Sequence, residues 1–193
     1  MIAGLDLSTK RIGYADPSGA THSISTQAGP KEPARRLHGL VWGLERLLRA
    51  VDQEPRLVVV EGYGLGSPGR LSLVRLGELG GAVRLRLFEL DIPYVEISPS
   101  SLKKYATGSG AAKKPAMIAA AAELGAPGLN DDEADAFLLR HLGRDAYGLD
   151  GSVELDYRAA VIASIPWPDI KELAHDRPTQ TRQRKAPAPP LRL

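Results

Sequence analysis

Apolar positions along this chain fall into runs of two kinds, one strand-like and one helical. Ile2–Ser8 (IAGLDLS) is apolar except for one acid and reads as a buried strand, although a strand interior disfavours Asp. Arg11–Ala15 and Ala20–Thr26 read as the second and third strands. Asp16-Pro17-Ser18-Gly19 is a strong turn between them, so the three form an antiparallel meander. Leu57–Val60 is an unbroken apolar run closed by Glu61 and Gly62. Its lack of alternation predicts a strand covered on both faces, as in a parallel sheet. Ile92–Ile97 is the last strand.

Between these runs the spacing turns helical. Leu37, Leu40, Val41, Leu44, Leu47 and Leu48 mark a helix from Pro33 to about Val51, whose Arg35, Arg36, Arg46 and Arg49 read as a solvated face. Leu71–Leu90 is a long helix. Its Gly77, Gly80 and Gly81 lower helix propensity and predict close packing, against the sheet or a second subunit. Ser100–Ala106 and Ala116–Glu123 are shorter helices, and Leu155–Ile165, with Pro166-Trp167-Pro168, reads as a small appended one whose Trp packs on the body. The expected class is α/β, with a mixed five-stranded sheet (three antiparallel strands, then parallel ones) flanked by helices. The division expected is a main domain over residues 1–148, a helical extension over 149–170 and a disordered basic, Pro-rich tail over 171–193.

The most informative helix starts at Asn130–Arg140 (NDDEADAFLLR). Asn130 reads as its N-cap, with acids filling the first turn. Asp132 and Asp135, three apart, share one face beside the apolar stripe of Ala134, Phe137, Leu138 and Leu142. Asp6 in the first strand and Glu61 at the end of a later one supply two further acids. Strand C-termini are where open α/β sheets place ligand groups. Four carboxylates so placed suit divalent metal. Two ions about 3.5–4 Å apart can activate a water and stabilise the leaving oxygen of a phosphodiester. Magnesium takes oxygen ligands and keeps waters, so carboxylates suffice. His22, His38, His141 and His175 show no joint ligand spacing and read as surface or helix filler.

Composition narrows this further. The chain has no cysteine, which excludes disulfides, thiol catalysis and cysteine-ligated zinc and fits a reducing cytoplasm. There is no basic lead into an apolar N-terminal core and no run of membrane-spanning length, so an intracellular protein with no membrane partner is expected. The net charge is +2, but Lys171–Leu193 alone carries +4, leaving −2 for the remainder. An acidic pocket on such a body, neutralised by metal, suits a polyanionic substrate. Ser98–Lys114 (SPSSLKKYATGSGAAKK) holds Lys103, Lys104, Lys113 and Lys114, with no acid, around a Gly-Ser-Gly loop, and reads as a phosphate-contacting surface. Tyr63–Arg70 (YGLGSPGR) is Gly-rich and mobile-looking but lacks the lysine and spacing of a P-loop, so no nucleotide cofactor is expected.

Taken together, GLDLSTKRIGYA, VVVEGYG, LGELGGAVRLRL, ISPSSLKKYATGSGAAKK and DDEADAFLL, in this order over about residues 2–142, resemble the ribonuclease H-like superfamily. More closely they resemble the RuvC family of Holliday-junction resolvases. The resemblance implies a homodimeric endonuclease, dependent on Mg²⁺ (or Mn²⁺) with two ions per site, that cleaves four-way DNA junctions. It implies that Asp6, Glu61, Asp132 and Asp135 are the metal-binding catalytic acids. It implies that Lys103 and Lys114 act on the DNA backbone near the scissile phosphate, and that the Leu71–Leu90 helix forms the dimer. Where the family carries a junction-wedging aromatic, this chain has Gly64, with Tyr63 one residue earlier as the candidate for stacking. The extension from Leu149 lies beyond the shared core and matches the shorter, phage-encoded branch, with flaps and forks as added substrates; the host cytoplasm is then the expected location. The competing readings are an RNase H-type nuclease on RNA–DNA hybrids, an inactive junction-binding protein, and an actin-like sugar kinase, for which the chain is too short.

Overall fold

The computed structural model describes residues 1–29, 31–50, 54–64, 70–151, 153 and 155–169. The expected basic tail and most of the Gly-rich stretch after Tyr63 lie outside these residues. Five strands, β1 (Ile2–Leu7), β2 (Arg11–Ala15), β3 (Thr21–Ser25), β4 (Leu57–Glu61) and β5 (Tyr94–Ile97), form one sheet in the order β3-β2-β1-β4-β5. β1–β2 and β2–β3 are antiparallel, while β1–β4 and β4–β5 are parallel. Six helices are described: α1 (Pro33–Ala50), α2 (Arg70–Glu89), α3 (Pro99–Thr107), α4 (Lys114–Glu123), α5 (Asp131–Ala146) and α6 (Asp156–Ala163). None is long and apolar enough to cross a membrane.

The unbroken apolar character of β1 and β4 has the expected cause. Successive side chains point to opposite faces, and both faces are covered. Ala3, Leu5, Leu7, Val58 and Val60 pack with α1 and α2. Ile2, Leu57 and Val59 pack with α3, α4, α5 and α6. By the same alternation Gly4, Asp6 and Glu61 belong to the α5 face. α6 joins that core through Val161, and Trp167 meets Tyr147 edge-on with ring centroids 5.9 Å apart.

Glycines on this face set how low α5 lies. A Cβ on Gly4 would stand 1.9 Å from the Ala136 carbonyl oxygen, and one on Gly13 would stand 2.0 Å from that of Asp132. Backbone meets backbone at both places, so neither neighbour can yield. Gly4→Ala is expected to cost roughly 3 kcal/mol or more. Thermal or urea melts of the variant check this, and a stability equal to the parent's would contradict the close approach.

One expectation needs correction and another narrows. Arg36 is not a solvated face residue: it is buried, and its Nη1 donates to the Thr9 carbonyl at 2.5 Å, pinning α1 to the β1–β2 turn. Within the chain, close packing of the α2 glycines holds for Gly80 alone, which leaves Gly77 and Gly81 to the second-subunit alternative. A Cβ on Gly80 would stand 2.1 Å from the Tyr63 hydroxyl, whereas Gly77 and Gly81 have nothing within 4 Å.

A candidate metal centre of four acids

Register brings the first two acids together. Leu5 of β1 is level with Val60 of β4, so Asp6 and Glu61 are the next pair along, on the same face. Their carboxyls lie close enough for each to act directly on the other's ionisation. α5 supplies the other two. Its start is fixed by a capping box: the Glu133 amide donates to Asn130 Oδ1 at 3.0 Å, and the Asn130 amide donates to Glu133 Oε2 at 3.2 Å. With its N-terminus so set and its backbone low over Gly13, Asp132 and Asp135 face the Asp6–Glu61 pair.

The electrostatics are those of crowded acids. Burial raises the Asp6 carboxyl well above the ordinary range, and repulsion from Glu61 and Asp132 adds to it. Burial likewise raises Glu61, with Asp135 adding, although the neighbouring Asp6 carboxyl opposes the shift. Asp132 is raised by burial and by Asp131. Asp135 is pushed up to about 7, first by burial and then by Asp6. Asp135 Oδ1 and Asp132 Oδ2 are buried and accept no hydrogen bond among the described residues. Such oxygens are costly unless a cation satisfies them. The donor set therefore fits a hard divalent ion.

A pH dependence follows from Asp135. A carboxyl whose folded-state pKa lies above its unfolded value stabilises the fold in its protonated form. That stability is complete below about pH 4 and is lost as the pH rises through about 7. In chelator at pH 8, Asp135→Asn is expected to melt several degrees above the parent, and the difference should close by about pH 4. Excess divalent ion should narrow it at pH 8. Paired thermal melts check this, and a difference independent of pH would remove Asp135 from the cluster.

The lysines divide. Lys103 is partly buried, and its charge lowers the pKa values of Glu61 and Asp135, placing it toward the acids. Lys114 opens α4, is bound to Asp131, and also acts on Asp132 and Asp135. Lys104 and Lys113 are exposed. Tyr63 lies against α2: Arg84 stacks over its ring at 4.7 Å and donates from Nη1 to its hydroxyl at 2.5 Å. Arg84 Nε also donates to Glu96.

Two features escape sequence reading. One is Arg11, whose Nε lies 3.0 Å from Asp132 Oδ2. Register pairs Asp6 with Gly13, and Arg11, two residues before Gly13, shares its face. That parity is the signal that could have found it. The other is His141, which is not helix filler. Its Nδ1 is 2.7 Å from the Tyr105 hydroxyl, which donates to Asp145 Oδ2 at 2.7 Å. Among the described residues, His141, Asp145 and Asp150 are the group whose ligand atoms come within 4.8 Å of one another; the four acids stand farther apart. The His141 group is already satisfied, since Arg144 grips both Asp150 oxygens at 2.5–2.9 Å.

Sequence and structure comparisons point one way. The crossover junction endodeoxyribonuclease RuvC of Anaeromyxobacter dehalogenans strain 2CP-C is 32% identical over 160 residues, spanning 77% of this chain and 84% of the relative. The RuvC of Anaeromyxobacter sp. strain Fw109-5 is 34% identical over 158 residues, spanning 76% of this chain and 75% of its own. Among solved structures, Thermus thermophilus RuvC in complex with a Holliday junction substrate aligns with a TM-score of 0.59 and 22% identity, over 72% of this chain and 89% of that one. This likeness shows the ribonuclease H-like fold. No protein-family model matches the chain.

Proposed function

The chain belongs to the RuvC family of crossover junction endodeoxyribonucleases, and on that premise we propose that it binds four-way DNA junctions in the cytoplasm and hydrolyses phosphodiester bonds. The observation that carries the reading is the set of four crowded carboxylates, drawn from β1, β4 and α5, with Lys103 and Lys114 beside them. Asp6, Glu61, Asp132 and Asp135 would hold Mg²⁺, or Mn²⁺ in its place, as two ions. Metal bound there would activate the attacking water and stabilise the leaving oxygen.

The chain's own residues then divide the remaining work. Lys103 and Lys114 bring positive charge to the scissile phosphate, and the exposed Lys104 and Lys113 meet flanking phosphates. Tyr63 offers an aromatic face where the β4 strand leaves the site, its orientation set by Arg84. A second copy, docked through α2, would place two such sites on two strands of the junction.

The test is denaturing-gel mapping of cuts on an end-labelled four-way junction, with magnesium and with chelator, beside an RNA–DNA hybrid. Paired, symmetric, magnesium-dependent nicks are expected. A protein that cuts the hybrid and leaves the junction whole is an RNase H-type enzyme instead. Junction binding without cuts in either metal identifies an inactive binding protein.

A further inference from the structure

Arg11 does not behave like the other arginines that meet acids in this molecule. Arg144 holds Asp150 through three aligned hydrogen bonds, and Arg86 holds Glu45 through two. Arg11 Nε lies at ion-pair distance from Asp132 Oδ2, 3.0 Å, yet that oxygen accepts no aligned hydrogen bond. The guanidinium makes no other bond among the described residues, and the Arg11 side chain is 48% exposed against 11% for Asp132. Attraction without alignment, at a half-exposed position, holds weakly.

The backbone beneath Arg11 is fixed. Ser8 Oγ accepts from the Arg11 amide at 3.0 Å and donates to its carbonyl at 2.9 Å, the Ser8 amide donates to the same carbonyl at 3.0 Å, and Arg36 holds the Thr9 carbonyl. Any movement is therefore in the side chain alone. Arg11 also acts on Asp131, on the outer side of the same helix turn. Lys114 approaches that turn from α4. The first turn of α5 thus has a cation on each side, at the mouth of the acid cluster.

We infer that Arg11 is a phosphate-binding side chain that shares Asp132 with the site's divalent cation, and that it turns to a DNA phosphate when the cation takes that carboxylate. The inference rests on the nuclease reading above. Arginine suits the role: its planar fork is always charged and matches a phosphate with two parallel bonds. A cation that competes for Asp132 and then serves the substrate makes metal loading and DNA binding mutually supportive. Once displaced from Asp132, the guanidinium has only Asp131 nearby, which Lys114 already holds, and is free to take a phosphate.

Two measurements on the full chain separate the parts of this. The first is Mn²⁺ binding without DNA, followed by the spin-resonance signal of free Mn²⁺. Arg11→Gln removes a competitor and is expected to tighten Mn²⁺ roughly three- to fivefold. The second is junction binding in Ca²⁺ over a salt series. Arg11→Gln is expected to weaken it about tenfold and to make the slope of log affinity against log salt shallower by about 0.7–0.9. Arg11→Lys, which keeps the charge, should stay within about threefold of the parent in the second measurement. Arg11→Gln with unchanged junction affinity and salt slope overturns the inference, whatever Mn²⁺ does, and leaves Arg11 a counter-ion of Asp132. A parent protein that binds neither Mn²⁺ nor the junction instead overturns the nuclease reading, and the inference with it. If Arg11→Gln is unfolded by circular dichroism, Arg11→Ala combined with Asp132→Asn takes its place: loss of junction affinity relative to Asp132→Asn alone supports the inference, and equality overturns it.

Discussion

Asp6→Asn is expected to lower junction cleavage by roughly a thousandfold or more, with junction binding in Ca²⁺ nearly unchanged. Asp6 sits at the centre of the cluster. It acts directly on Glu61, and its charge acts on Asp135. Asparagine has the same size but is a neutral, poor ligand for a hard cation. The substitution leaves Gly4 and Gly13, and with them the seat of α5, untouched. Ionised Asp6 is costly to bury, so the variant should fold at least as stably as the parent in chelator. Loss of activity would then not reflect unfolding. Asp135→Asn should behave the same way. Denaturing gels with Mg²⁺ and with Mn²⁺, beside a melt of each protein, give the comparison. Cleavage retained by either folded variant removes that residue from the metal site.

The parts of this site that could be read from the sequence are those written into local patterns. An Asp in an apolar strand, a Glu closing an apolar run, and two acids three apart behind an Asn cap each stand out alone. The antiparallel meander followed by parallel strands was equally legible, because turn chemistry and unbroken apolar runs are local. What depended on register was not. Arg11 reads as the polar start of a strand until the Asp6–Gly13 pairing puts it on the acid face. Gly4 and Gly13 look like ordinary strand glycines until α5 lies on them. Arg36 repeats a helical surface pattern, yet it reaches the Thr9 carbonyl 27 residues away in sequence. His141 reads as helix filler because its partner Tyr105 comes from another helix. Long side chains choose partners across the fold, and periodicity says nothing of that choice.

Leu85→Asp combined with Phe88→Asp is expected to convert a homodimer into a folded monomer. Along α2, Leu71, Val74, Leu85 and Phe88 are 63%, 57%, 58% and 76% exposed. They recur with steps of three and four through Glu78 and Gly81, the seam spacing of two packed helices. Gly77 and Gly81, with nothing within 4 Å, let a second backbone come close at the middle of that seam. The opposite side of the helix is already used: Leu79, Val83 and Leu87 are buried against the sheet. An exposed apolar row of this kind, interrupted by Glu78 alone among charged residues, marks a protein contact, and self-pairing about a two-fold axis satisfies it on both copies at once. Two carboxylates at its end should weaken association by about a hundredfold or more, while the melt changes little because neither side chain is in the chain's own core. Sedimentation velocity reads the assembly. The functional readout is a supercoiled plasmid carrying a cruciform. Paired cuts by the parent yield linear DNA, whereas single, uncoordinated cuts by the variant should leave nicked circles. A parent that sediments as a monomer overturns the homodimer, and a variant that still dimerises and linearises the plasmid places the dimer contact elsewhere.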